Sequence, residues 1–186
     1  TDGMNYLLDL ITPDGLYGSG SDGQYMYAHG IATIALAELY GQTRSPKMRR
    51  KLDQAIKLIT SSQADAAGHE GGWRYRPVAK DADISVTVLQ LVAIRAAKNG
   101  GIEVPQKTID DAVKYVMRCF KENEGGFCYQ PNREAGFART AAAIYSLQVC
   151  GLYDDPKVTA GSKFLFESLR PDHEWFTYGN FYAAPA

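Results

Sequence analysis

Two kinds of apolar segment alternate along the chain. In the first, hydrophobic residues recur at helical spacing on one side only. Met4, Leu7, Leu8 and Ile11 form one such stripe, and Met48, Leu52, Ala55, Ile56 and Ile59 form another opposite Lys47, Arg49, Arg50 and Lys57. Ile109, Ala112, Val116 and Phe120 lie opposite Lys107, Asp110, Lys114 and Arg118, and Val158, Gly161, Leu165 and Leu169 follow Asp155-Pro156. Stripes of this kind predict amphipathic helices with one face in water. In the second kind, Tyr25 to Tyr40, Ile84 to Ala97 and Phe137 to Cys150, nearly every position is apolar, which predicts helices surrounded by protein. No strand alternation of more than a few residues competes with this pattern. The expected fold class is all-α.

The punctuation repeats with the helices. Each wholly apolar segment stops at a glycine and the next striped one opens at a proline: Gly41 and Pro46, Gly100 and Pro105, Gly151 and Pro156. Glycine suits the left-handed position just past a helix end, and proline sacrifices no hydrogen bond in a first turn. Gly71-Gly72-Trp73 returns as Gly125-Gly126-Phe127, each followed two residues later by a tyrosine, Tyr75 and Tyr129. The repeating unit is a striped helix, a Gly-aromatic turn, a wholly apolar helix and a short connector, with turn aromatics at Tyr17, Trp73, Phe127 and Trp175. Helix pairs of this type bury their inner faces by stacking on their neighbours, either as an open solenoid or as a closed ring. Inner helices that are apolar all round favour the two-layered ring.

Composition narrows the field. The chain has 186 residues, 45% of them hydrophobic, and a net charge of -1, enough for one domain spanning 1–186 and without the basic excess that nucleic-acid binding needs. Cys119, Cys128 and Cys150 are odd in number and none falls in a Cys-x-x-Cys pair, so buried free thiols are expected. Neither a membrane span nor a secretory leader is evident. A helical pattern already under way at the first residues, and another starting at Phe181-Tyr182, read as a domain cut at both ends. The rest of the parent chain is then its first partner. Nothing in the sequence marks a compartment.

The spacing of these elements resembles that of the squalene-hopene cyclase and protein prenyltransferase repeat proteins. Their repeat runs Gly or Ala, two residues, aromatic, aliphatic, three residues, Gln, then Gly-x-Trp. Gly3-x-x-Tyr6-Leu7-x-x-x-Ile11-x-x-x-Gly15-x-Tyr17 follows that spacing with Ile11 for the glutamine. Ala55-x-x-Leu58-Ile59-x-x-x-Gln63 keeps the glutamine and reaches Gly71-x-Trp73 by a longer loop. Ala112-x-x-Tyr115-Val116-x-x-x-Phe120 with Gly125-x-Phe127, and Gly161-x-x-Phe164-Leu165-x-x-x-Leu169, complete the set. The resemblance implies an α/α toroid, here a partial ring of about four helix-pair repeats, and an apolar isoprenoid-like small molecule as ligand.

It also implies candidate chemistry. Squalene-hopene-type cyclases protonate a polyene with the middle carboxyl of an Asp-x-Asp-Asp motif at the mouth of an inner helix. Asp81-Ala82-Asp83-Ile84 stands at the corresponding place with Ile84 for the last aspartate, making Asp83 the candidate acid and Asp81 its support. Helix capping is the alternative for either aspartate. The Asp-x-Cys of zinc-dependent prenyltransferases is missing, so no metal is expected. Phosphate-cradling loops and dinucleotide fingerprints are absent too, so no cofactor is expected.

Five further residues are candidates for substrate binding: His29, Tyr27, Arg76, Arg139 and Phe137. If the ring assignment holds, His29 and Tyr27 border the central lining. The two arginines could grip a diphosphate or an acidic sugar, or simply pair with Asp81, Asp83 and Glu134. The aromatics could steady a cation through their ring faces or serve as packing. Three functions stay open: a terpenoid-cyclase-like enzyme, a catalytically silent toroid that binds protein or glycan, and acid-sugar lyase chemistry.

Overall fold

The computed structural model describes residues 2–17, 23, 25–78, 80–168 and 175–186. These fold as α1 (Asp2–Leu10), α2 (Tyr25–Thr43), α3 (Pro46–Ser61), α4 (Ile84–Asn99), α5 (Gln106–Arg118), α6 (Phe137–Val149), α7 (Pro156–Ser168) and α8 (Phe176–Ala183). A hairpin of β1 (Phe120–Lys121) and β2 (Gly126–Phe127) lies between α5 and α6, with Phe120 opposite Phe127. The all-α expectation therefore holds apart from this small hairpin. It forms because α5 ends at Arg118, so Phe120 leaves the helical stripe and its ring meets Phe127 edge-on at 5.1 Å.

The helices make two rows. The inner row runs α2, α4, α6, α8, each against the next, and the outer row fills its grooves: α3 lies on α2 and α4, α5 on α4 and α6, and α7 on α6. Burial follows the sequence pattern in the middle of the array. In α4, Ile84, Val86, Val88, Leu91, Ala93 and Ile94 are wholly buried, as a helix with neighbours on all sides should be. The outer helix α3 turns Met48, Leu52, Ala55, Ile56 and Ile59 inward and leaves its lysines and arginines outside. In α7, Val158, Gly161 and Leu165 are buried, while Leu169 lies outside the described residues.

The wholly apolar α2 departs from expectation. Ile31 is 58% exposed, and Tyr27, Ile34 and Ala35 on the same side are only partly covered. These positions, spaced by about one and two helical turns, form a face that is left incompletely covered.

The rows are joined at the Gly-aromatic turns. Gly15 and Gly71 have φ of +87° and +88°, and a Cβ there would approach the carbonyl oxygens of Gln54 in α3 and Asp111 in α5 to 2.6 and 2.1 Å. Each turn thus rests on the backbone of the following outer helix, where only glycine fits. Gln63 secures the second joint by donating to Gly71 O and Thr108 O, both at 2.9 Å. The connectors vary more. The left-handed residue after α2 is Arg44 (φ 53°), not Gly41, which lies inside the helix; after α4 it is Gly101. Arg44 offsets its backbone cost by donating to Gly100 O and covering the Tyr40 ring, which ties the ends of α2 and α4 together.

Candidate functional site

The three turn aromatics are wired alike. The backbone N–H of Trp73 donates to Thr87 Oγ1 at 2.9 Å, and that of Phe127 to Thr140 Oγ1 at 2.9 Å. In the first copy the same link runs from Tyr17 N to His29 Nδ1 at 3.2 Å. His29 therefore occupies the position held by Thr87 and Thr140 in the later copies. Its Nε2 lies 3.2 Å from Ala55 O on the outer helix α3, and the side chain is wholly buried. The imidazole does not border the central lining as the sequence reading expected, because both of its nitrogens are engaged toward the outer layer. Burial lowers its pKa to about 4, with the Ala55 bond opposing that fall only in part.

Asp83 stands at the N-cap of α4. Its Oδ1 accepts from Val86 N at 3.0 Å and its Oδ2 from Arg74 Nη1 at 2.6 Å, and the residue has no solvent exposure. Arg74 also reaches Asp81 Oδ2 through Nε at 3.1 Å and donates to Tyr129 Oη. The guanidinium lies over the Tyr75 ring, 4.2 Å from its centroid, and the Tyr75 and Tyr129 hydroxyls are hydrogen-bonded to each other. Burial pushes the Asp83 carboxyl above the usual carboxylate range, while the Val86 amide, the Arg74 guanidinium and the Tyr129 hydroxyl favour the anion. The contacts on both carboxyl oxygens are donors, so the geometry fits a charged cap in an ion pair. A proton on this group would face N–H bonds instead of an acceptor. Asp81, on the exposed side of Arg74, completes the pair from outside.

The next inner helix opens differently. Gly136 holds the N-cap of α6 in extended backbone (φ -157°) without a side-chain cap, and Arg139 folds back so that its guanidinium covers the glycine. No carboxylate among the described residues pairs with Arg139, which is half-buried. In front of it lies a cavity of about 670 Å³ walled by Tyr27, Tyr75, Ser85, Tyr129, Phe137 and Arg139, with Trp175 and Tyr178 from the far side. Tyr27 stacks on Tyr75 at 5.8 Å, with Ser85 in the same wall. Burial raises the pKa of both Tyr27 and Tyr129, so neither ionises near neutrality.

A second hollow, of about 970 Å³, adjoins the first and shares Tyr27, Trp175 and Tyr178 with it as walls. Its walls are the uncovered face of α2 (Ile31, Ile34, Ala35), Leu89 and Val92 of α4, Tyr145 of α6, and Phe181 and Tyr182 of α8. All four inner helices contribute. The two volumes lie within or close to the range of about 300–1,000 Å³ common for small-molecule sites.

Of the sequence candidates, Tyr27, Phe137 and Arg139 come together in the cavity wall. Asp81 and Asp83 form the latch beside it, His29 points from the inner helix α2 toward α3, and Arg76 is exposed with its guanidinium against Gly23. Trp175, expected as the fourth turn aromatic, caps α8 in the left-handed region and, unlike the buried Tyr17, Trp73 and Phe127, is 69% exposed, lining both hollows. Ser85 escaped the sequence reading, because a serine in the first turn of a mostly apolar helix is a signal too common to single out. Tyr178, expected with the other aromatics near this end, does line both hollows. No helix among the described residues is long and apolar enough to cross a membrane. The chain matches no protein-family model and no curated protein.

Proposed function

We propose that this domain is an arc of an α/α toroid, of the kind its repeats resemble, and that it binds an apolar isoprenoid-like molecule on its concave side. The observation that carries the reading is the wall shared by α2, α4, α6 and α8, where aliphatic and aromatic side chains stand open around about 970 Å³. Unfilled apolar surface of this extent marks a binding site more often than a folding accident. Binding, without acid catalysis at Asp83, is the activity this arrangement supports best, because the carboxyl is held by donors as a cap and counter-ion.

Trp175 lines the hollow and Trp73 is buried in the core, so ligand entry is readable as a change in tryptophan emission. Titration with farnesol, a neutral isoprenoid alcohol, is expected to give saturable binding. Ile31→Lys, which puts a charge on the open wall at an already exposed position, is expected to abolish it with little change in melting temperature. Absence of saturable binding in the unaltered protein rejects the proposal. Conversion of a squalene-like polyene to cyclic products, lost in Asp83→Asn, would restore the catalytic reading in its place.

A further inference from the structure

The binding reading leaves open what meets the polar end of the cavity, and the two inner-helix entrances differ there in a way that names it. At α4 the chain supplies its own anion: Asp83 caps the helix and neutralises Arg74. At α6 the corresponding position is Gly136, and the nearby cation, Arg139, has no carboxylate partner among the described residues. Arg139 lies in the wall of the smaller cavity beside Tyr75, Ser85 and Tyr129, three hydroxyl-bearing residues, and that cavity adjoins the apolar hollow, with which it shares Tyr27, Trp175 and Tyr178 as walls.

Resting on the proposed binding function, we infer that the ligand is a single-chain amphiphile. Its apolar tail occupies the hollow along the inner helices, and its anionic head, a carboxylate or a phosphate monoester, pairs with Arg139. A guanidinium presents a planar fork of N–H donors that matches either head group. The uncapped first turn of α6 adds a weak attraction for negative charge but does not carry the site. A half-buried cation facing an apolar cavity is costly to desolvate unless its counter-charge arrives with the ligand, and this makes recognition depend on the head group.

Three probes with one tail separate the head from the chain: dodecanol, dodecanoate and dodecyl phosphate, each titrated below its micelle-forming concentration and read by tryptophan emission. At least one anion is expected to bind roughly tenfold or more tightly than the alcohol. Whichever anion binds tighter identifies the head group as carboxylate or phosphate. Arg139→Gln is expected to bring that anion down to the affinity of the alcohol while leaving the alcohol unchanged, and Arg139→Lys to retain part of the preference. Equal affinities for all three probes, or a preference that survives Arg139→Gln, overturns the head-group assignment and leaves the apolar site standing. Failure of the alcohol and both anions to bind removes the apolar site itself.

Discussion

The entrances to α4 and α6 begin from the same local plan. Each has a glycine-aromatic turn, a backbone amide donated to a threonine four residues into the repeat's inner helix, and a tyrosine two residues past the aromatic. They end in opposite electrostatics. One is closed by Asp83, Arg74 and Tyr129, a set in which each charge is met from within the chain. The other is left to Gly136 and Arg139 and opens on a cavity. A repeated framework can therefore be kept while one copy is given over to stability and the next to recognition. The residues that make this difference are few and lie at the N-caps.

Three substitutions test this division. Asp83→Ala removes a cap and leaves Arg74 with only the half-exposed Asp81. The expected loss is about 4 kcal/mol, measurable as a shift in the urea midpoint at unchanged slope. A loss below about 1 kcal/mol would mean that the latch is not what holds the α4 entrance.

The first copy supplies the second test, through pH. His29 has its pKa lowered to about 4 in the folded protein, against about 6.5 in the unfolded chain. The unfolded state then binds the extra proton between these values. The His29 contribution is complete above pH 6.5 and is lost as pH falls toward 4, by about 3 kcal/mol in all. Denaturation curves at intervals across that window should show the decline. His29→Gln, which keeps a polar group for Tyr17 N, should show a flatter dependence.

The smallest effect comes from making the second entrance like the first. At Gly136 the nearest atoms to an added Cβ belong to the flexible end of Arg139, which swings aside to admit it, and the backbone there is extended, so Gly136→Asp is accommodated by a side-chain move. The new carboxylate is placed to cap α6 and pair with Arg139, which should raise stability by about 1 kcal/mol in thermal unfolding. It should also cancel any preference for anionic ligands. Stabilisation without that loss would separate the cap from the recognition site.

The helical framework was largely legible in the sequence because its signals are local. A stripe or an all-apolar run fixes how a helix is covered, and the glycines at Gly15 and Gly71 mark joints with no room for a side chain. Helix ends were less legible. Gly41 lies within α2 because Arg44 accepts the left-handed conformation and fastens itself to Gly100 O. Phe120 belongs to a hairpin because Phe127, across a tight turn, offers its ring. The candidate site was readable only in part. Residue type and the family resemblance brought forward Tyr27, Phe137 and Arg139, which line the cavity, and equally His29 and Asp83, whose hydrogen-bond partners turn them to other work. Partnership across tens of residues, such as His29 with Ala55, leaves no periodic trace. The open face of α2 was hidden for a related reason: an apolar helix facing a cavity and one facing protein have the same composition.

The seating of Gly15 and Gly71 on the outer helices α3 and α5 has a consequence for how such a chain can grow. A stretch from Gly71 to Glu124 contains both the turn that sits and the helix surface that is sat upon, so it carries its own joint whole. Tandem duplication of that stretch would add a length of wall without remaking any existing joint, so the span of the enclosed space can change while its seams stay as they are.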